Sequence, residues 1–147
     1  MKENLSQNSQ RLVLDTNVWL DWLVFDDPSV APLKLAQREG RIQIIVNTAV
    51  VDELRRVLAY PQLSLDTGRQ QESLAALDQC TVMHDGQSPT HLPALPRCTD
   101  PDDQKFLEAA LAAHAGWLIT KDRALLELAR KRTRPVPFQI ATPDDFS

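Results

Sequence analysis

The sequence predicts an α/β fold in which a mostly parallel sheet of five strands has helices on both faces. Short apolar runs alternate with amphipathic segments along nearly the whole chain, which is typical of strands joined by crossover helices. Parallel strands need such connections. The length of 147 residues fits one domain. We therefore assign residues 1–10 to a polar, flexible tail and residues 11–147 to a single domain.

In the first half of the chain, hydrophobic spacing and terminating residues define the elements. Gly40 stands where a helix C-terminal cap is expected, Thr48 can cap the next helix, and Pro61 ends it. The predicted elements are strand 11–15, helix 17–25, helix 29–39, strand 41–46 and a helix from 48 to the residue before Pro61.

In the second half, the strongest local signal is Asp100–Pro101, an N-cap residue followed by proline in the first helical turn. Gly116 is expected to close that helix. The predicted elements are helix 67–79, strand 80–83, a proline-rich loop 84–99, helix 100–115, strand 117–120, helix 124–131 and strand 136–140.

Composition excludes several classes of protein. The 16 basic and 20 acidic side chains give a net charge of −4, so bulk positive charge cannot drive nucleic-acid binding. The two cysteines, Cys80 and Cys98, form no CxxC motif and are interpreted as reduced thiols. The N-terminus lacks an apolar signal core, and the longest apolar stretch, 107–119, is too short to span a membrane. We expect a cytoplasmic protein without membrane contact.

Acidic residues follow two of the predicted strands. The first strand ends in Asp15, Thr16 and Asn17, and the fourth ends in Thr120, Lys121 and Asp122. In open α/β sheets, ligands bind beyond the carboxyl ends of the strands. Glu53, beside the apolar stripe of its helix, and the acids of the segment 100–103 add further carboxylates.

Carboxylates that converge on one site repel each other and favour a bound cation. Oxygen ligands without histidine or cysteine suit Mg²⁺ or Mn²⁺ better than Zn²⁺. Each acid also has a purely structural interpretation: Asp100 and Asp122 can cap helices, and Glu53 can pair with Arg55 or Arg56.

The chain resembles the PIN-domain nucleases, and in particular the bacterial PIN proteins that are toxin components of toxin–antitoxin pairs. The resemblance rests on an ordered set of segments: LVLDTNVWL at 12–20, TAVVDELRRVL at 48–58 and DPDDQKFLEAALAAHAGWLITKDRALL at 100–126. It covers roughly residues 11–143.

The resemblance implies a PIN-like fold and a metal-dependent hydrolysis of RNA. The catalytic acids would be Asp15, Glu53, Asp103 and Asp122, with Asp100 as the alternative third ligand, and all five acids are predicted ligands of Mg²⁺ or Mn²⁺. The predicted supporting residues are Thr16, Asn17 and Thr120. The resemblance also implies an RNA substrate, a cognate antitoxin protein and a homodimer.

Residues 121–134 form the only markedly basic stretch. They are either a solvated helix end or a rail for the phosphate backbone of RNA. Lys121 and Arg123 flank Asp122 and are therefore the predicted substrate contacts. Trp19 and Trp22, three residues apart on a helix, are predicted to belong to the core or to a partner surface.

Three other functions compete with the nuclease. A non-catalytic PIN-like domain would bind RNA or a protein without cutting. A receiver domain would use Asp85 after the third strand, but no matching lysine follows the fifth. A haloacid-type phosphatase would need a second acid at position 17, where this chain has Asn17.

Overall fold

The sheet is fully parallel, with the strand order β3-β2-β1-β4-β5. These strands come from a computed structural model that describes residues 10–85, 104–131 and 138–146. The strands are β1 (Gln10–Leu14), β2 (Ile42–Val46), β3 (Thr81–Met83), β4 (Trp117–Ile119) and β5 (Gln139–Ala141). The α/β class and the parallel five-stranded sheet predicted from the sequence are therefore confirmed.

Helices alternate with these strands in the described residues. They are α1 (Thr16–Leu20), α2 (Ala31–Arg38), α3 (Thr48–Leu58), α4 (Thr67–Cys80), α5 (Gln104–Ala112) and α6 (Arg123–Lys131). A π-helix, Asp21–Phe25, continues α1, so the predicted helix 17–25 is present but changes its hydrogen-bond pattern halfway. Short 3₁₀ turns cover Pro28–Val30, Pro61–Leu63 and Asp144–Phe146. None of the helices in the described ranges is long and apolar enough to cross a membrane.

The central strand β1 is covered on both faces. Leu12, Val13 and Leu14 are each fully buried, although consecutive strand residues point to opposite faces of a sheet. Leu118 and Ile119 of β4 are buried in the same way. Burial on both faces is expected for a parallel sheet flanked by helices. Trp19 of α1 belongs to this core and contacts Trp22, with ring centroids 5.4 Å apart.

Strand order reverses at β1, and this reversal positions the site. From β1 the chain proceeds through β2 to β3 on one side of the sheet, and then returns to place β4 and β5 on the other side. The crevice between the carboxyl ends of β1 and β4 is therefore a topological switch point, where open α/β sheets bind their ligands.

Two glycines predicted to end helices behave differently. Gly40 follows α2 in a left-handed conformation, with φ of 76°, as predicted. The prediction that Gly116 closes α5 is wrong. His114, with φ of 52°, takes the left-handed position, and the amide of Ala115 donates to the carbonyl of Ala110 across 2.9 Å. Gly116 instead starts the pairing with β1, where its amide donates to the carbonyl of Arg11.

Other boundaries shift by a few residues. Cys80 ends α4 and is not part of the third strand, and the last strand is centred later than the predicted 136–140. The predicted start of the helix at 100–103 lies outside the described residues, as does Cys98.

The sequence suggested Thr48 as the N-cap of α3, but the N-cap is Asn47. The side chain of Asn47 accepts a hydrogen bond from the amide of Val50 at 2.9 Å. Thr48 is the first helical residue, and its amide and hydroxyl both donate to the exposed carboxylate of Asp85. Asp85 therefore joins the end of β3 to the start of α3.

Because Asn47 is the cap, substitution of Asn47 should destabilise the protein more than substitution of Thr48. Asn47→Ala should lower the free energy of unfolding by about 1 kcal/mol because an N-cap side chain is lost. Thr48→Val keeps the Asn47 cap and the hydrogen bond from the amide of residue 48 to Asp85, and it removes only the bond from the hydroxyl. The free energy of unfolding should therefore fall by less than about 0.5 kcal/mol. Urea denaturation of both variants measures the difference. An equal or larger effect at Thr48 would contradict the assignment of Asn47 as the cap.

Candidate active site

Acids from three separate segments line one pocket at the switch point. Asp15 follows β1, Glu53 lies on α3 and Asp122 follows β4, and the three carboxylates share a cavity of about 900 Å³. The wall of this cavity also includes Thr16, Asn17, Arg56, Tyr60, Gln62 and Phe106. Residues separated by more than a hundred positions are thus brought together because the carboxyl ends of β1 and β4 are adjacent.

Asp15 is fixed by the backbone of the strand and of the helix that it joins. Its amide donates to the carbonyl of Ile119 at 3.1 Å, which extends the pairing of β1 with β4 by one residue. Its Oδ1 atom accepts from the amide of Val18 at 3.0 Å and caps α1. The residue is 3% exposed, so the position of its side chain is set by packing as well as by hydrogen bonds.

Thr120 connects Asp15 to Asp122. Its fully buried hydroxyl donates to Oδ2 of Asp15 and accepts from the amide of Asp122 at 2.9 Å. The carboxylate of Asp122 accepts from the amides of Ala124 at 2.8 Å and Leu125 at 3.3 Å, so Asp122 also starts α6. Both acids are therefore helix caps whose side chains border the pocket, and the structural and functional interpretations coexist.

Glu53 is held from two sides. One carboxylate oxygen accepts from the hydroxyl of Thr16, and the other accepts from the ammonium of Lys105 on α5. The side chain of Glu53 is 16% exposed and that of Lys105 is 22% exposed, so this ion pair is largely shielded from water. The expected alternatives, pairing with Arg55 or Arg56, do not occur; Arg55 pairs with Asp52 instead.

The electrostatics of the pocket disfavour negative charge at Asp15. The pKa of Asp15 is raised to about 6, chiefly by burial and to a smaller extent by the nearby charges of Asp122 and Glu53, while hydrogen bonds from Thr120 and Val18 oppose the shift. A divalent cation beside Asp15 would remove this penalty. The carboxylate, hydroxyl and amide oxygens that line the pocket, without histidine or cysteine, are ligands that Mg²⁺ or Mn²⁺ accepts.

Within the described ranges no three acidic, histidine or cysteine side chains are close enough to form a metal-binding group by themselves. The predicted third ligands, Asp100 and Asp103, lie in the segment outside those ranges. The donor chemistry of Asp15, Glu53 and Asp122 fits a divalent cation, but these three side chains do not form a site by themselves, so a cation there would need further ligands from outside the described residues.

The predicted substrate contacts do not line the pocket. The ammonium of Lys121 is 2.5 Å from the carboxylate of Asp21, at the start of the π-helix. Arg123 is exposed at the start of α6. Their roles stay predictions.

Sequence reasoning missed the cations that do face this region. Lys105 contacts Glu53 across 52 positions, and no local pattern indicates that contact. Arg56 and the uncharged Tyr60 could have been found from the sequence. They lie three and seven residues after Glu53, a spacing that places all three on one face of the predicted helix.

One buried and two half-buried carboxylates, all hydrogen-bonded, form an acid-lined site at the carboxyl edge of a parallel α/β sheet. The chain belongs to the PIN domain family, whose sequence model matches residues 11–124. PIN domains are generally nucleases and generally use divalent metal ions, so this membership indicates a nuclease-type function. No curated protein matches the chain.

Proposed function

We propose that the chain is a metal-dependent endoribonuclease that hydrolyses RNA phosphodiester bonds with Mg²⁺ or Mn²⁺. One observation carries the proposal: in a member of a nuclease family, the buried carboxylate of Asp15 faces those of Asp122 and Glu53 at the switch point of the sheet. Such a cluster is costly without a cation and is suited to holding one.

In this proposal Asp15, Glu53 and Asp122 hold the cation, together with Asp103 or Asp100. The bound cation would lower the pKa of a water molecule and neutralise charge at phosphorus. Thr120 orients Asp15, and Thr16 orients Glu53, through the hydrogen bonds that their hydroxyls donate. Asn17 borders the same cavity as a supporting residue.

The wider biological role is also part of the proposal. We propose that the chain is the toxin component of a toxin–antitoxin pair and acts in the cytoplasm, with an antitoxin protein and a second copy of itself as partners. The support is the resemblance of its ordered segments to such proteins. A neighbouring gene for a small protein with a DNA-binding half would support the pairing.

A cleavage assay tests the enzymatic part. The wild-type chain should cut a generic single-stranded RNA with Mg²⁺ or Mn²⁺ and stop when the metal is chelated. Glu53→Gln should slow cleavage by at least about 100-fold, because one electrostatic group at a reaction centre contributes about 10²–10³ to the rate. The amide oxygen of Gln can still accept from Lys105, and its amide nitrogen can donate to the hydroxyl oxygen of Thr16, so the fold should be retained.

Calorimetric titration with Mn²⁺ gives a readout that does not depend on cleavage. Wild type should bind, and Glu53→Gln should bind more weakly. If wild type and Glu53→Gln degrade RNA equally, the activity is a contaminant and the proposal fails.

One observation favours a non-catalytic PIN-like domain that binds RNA or a protein. The ammonium of Lys105 already neutralises Glu53, which supplies inside the chain part of the charge that a cation would bring. In that case the calorimeter would register no heat at millimolar Mn²⁺, and RNA would remain intact.

A further inference from the structure

Half of the pocket wall comes from a region that holds no acid. It is formed by the end of α3 and the turn that follows, where Arg56, Val57, Tyr60, Gln62 and Leu63 line the cavity. The volume of about 900 Å³ lies near the upper end of the range of roughly 300–1,000 Å³ that is usual for ligand pockets. The cavity therefore has room for more than a metal cluster.

Helical spacing aligns this wall with the acids. Arg56 lies three residues after Glu53, and Tyr60 lies seven residues after it. A last helical turn reaches Tyr60, whose amide donates to the carbonyl of Val57 at 3.0 Å. At 1.5 Å per residue, Tyr60 lies roughly 10 Å from Glu53 along the axis. Tyr60 is therefore too far from Glu53 to share a ligand sphere with it.

Charge distinguishes Arg56 from its neighbour. Among the described residues that line the cavity, Arg56 is the only cation, and none of the ion pairs in the described ranges involves it. Arg55 occupies the same helical turn, so the helix dipole favours both residues equally. Yet Arg55 is paired with Asp52 at 3.1 Å and does not line this cavity.

Tyr60 presents a ring to solvent at the same wall. Its side chain is among the large exposed apolar groups of the described residues, with 51% of the residue accessible. An exposed aromatic ring and an unpaired guanidinium that line the same cavity supply two contacts that proteins use to bind single-stranded nucleic acid: stacking for a base and charge for a phosphate.

We infer that Arg56 and Tyr60 form a subsite for the nucleotide next to the scissile phosphate of single-stranded RNA. Arg56 binds a backbone phosphate, and Tyr60 stacks on an unpaired base. This inference rests on the proposed function, because it assigns RNA to the same pocket. It places substrate affinity on α3 and the turn after it, whereas the substrate contacts predicted from the sequence are Lys121 and Arg123.

Binding of a labelled single-stranded RNA in chelator separates this subsite from cleavage. Fluorescence anisotropy of the full chain should show that Tyr60→Ala weakens binding by roughly 5- to 150-fold, while Tyr60→Phe, which keeps the ring, does not. Arg56→Ala should weaken binding and reduce the slope of log affinity against log salt by about 1, and the matched control Arg55→Ala should do neither. Thermal melting of each variant verifies the fold.

The outcomes separate the subsite from the enzyme. If wild type binds and cuts RNA but Arg56→Ala and Tyr60→Ala bind as well as wild type, the subsite is wrong and the nuclease stands. If RNA is bound through these residues but never cut with any metal, the nuclease fails, and Arg56 and Tyr60 stand only as an RNA-binding site without a scissile phosphate. Equal binding of duplex RNA, or no binding of RNA at all, would overturn the subsite.

Discussion

Asp15→Asn is expected to make the metal-free protein more stable while it removes activity. Above about pH 7 wild type holds a buried carboxylate whose pKa is raised from 3.8 to about 6. A shift of this size corresponds to about 3 kcal/mol of stability lost once the group is ionised. The amide of Asn carries no charge and can still accept from Val18 and donate to Thr120. We therefore expect a net gain of about 1–3 kcal/mol at about pH 8.

The sign of the pH dependence follows from the direction of the shift. Because the folded state binds the proton more tightly than the unfolded state, the free energy of unfolding of wild type falls as pH rises from about 4 through about 6. The advantage of Asp15→Asn should therefore be largest above that window and disappear at about pH 4. Urea denaturation across this range, with metal chelated, measures it.

Activity should change in the opposite direction. RNA cleavage by Asp15→Asn should fall by at least about 100-fold, since an ionised ligand at the centre of the acid cluster is lost. Added Mn²⁺ should stabilise wild type more than the variant, because only wild type retains the full ligand set. A variant that is less stable than wild type at about pH 8, or that still cuts at the wild-type rate, would contradict this account of Asp15.

The parts of the fold that sequence could predict are those that local patterns determine. Apolar runs alternating with amphipathic helices define a parallel sheet, and parallel strands place their carboxyl ends at one edge. The convergence of Asp15 and Asp122 follows from those two rules alone, before any side chain is placed. Their shared pocket is therefore the most predictable feature of the site.

The remaining features depend on choices between similar residues or on distant contacts. Asn47 and Thr48 are adjacent and both can cap a helix, and His114 and Gly116 both can end one, so sequence alone does not decide which does. Lys105 contacts Glu53 only because α5 packs against α3, which no local pattern encodes.

Removing Lys105 is expected to destabilise the metal-free protein and to strengthen its binding of metal. In Lys105→Gln, Glu53 loses its counter-ion while it still lies near Asp15 and Asp122. The pair is mostly shielded from water, so the free energy of unfolding should fall by about 1–2 kcal/mol, between the values for exposed and buried pairs.

The same variant leaves the acid cluster more negative, and an incoming cation no longer displaces an ammonium group from Glu53. Calorimetry should therefore show Mn²⁺ binding about tenfold tighter than in wild type, and millimolar Mn²⁺ should recover the lost stability. Lys34→Gln is the matched control, because Lys34 pairs at 2.7 Å with Asp26, whose side chain is 90% exposed, and neither residue lines the pocket. Unchanged or weaker Mn²⁺ binding in Lys105→Gln would mean that Lys105 does not compete with metal for Glu53, and that the acids at the switch point do not act together as one cation site.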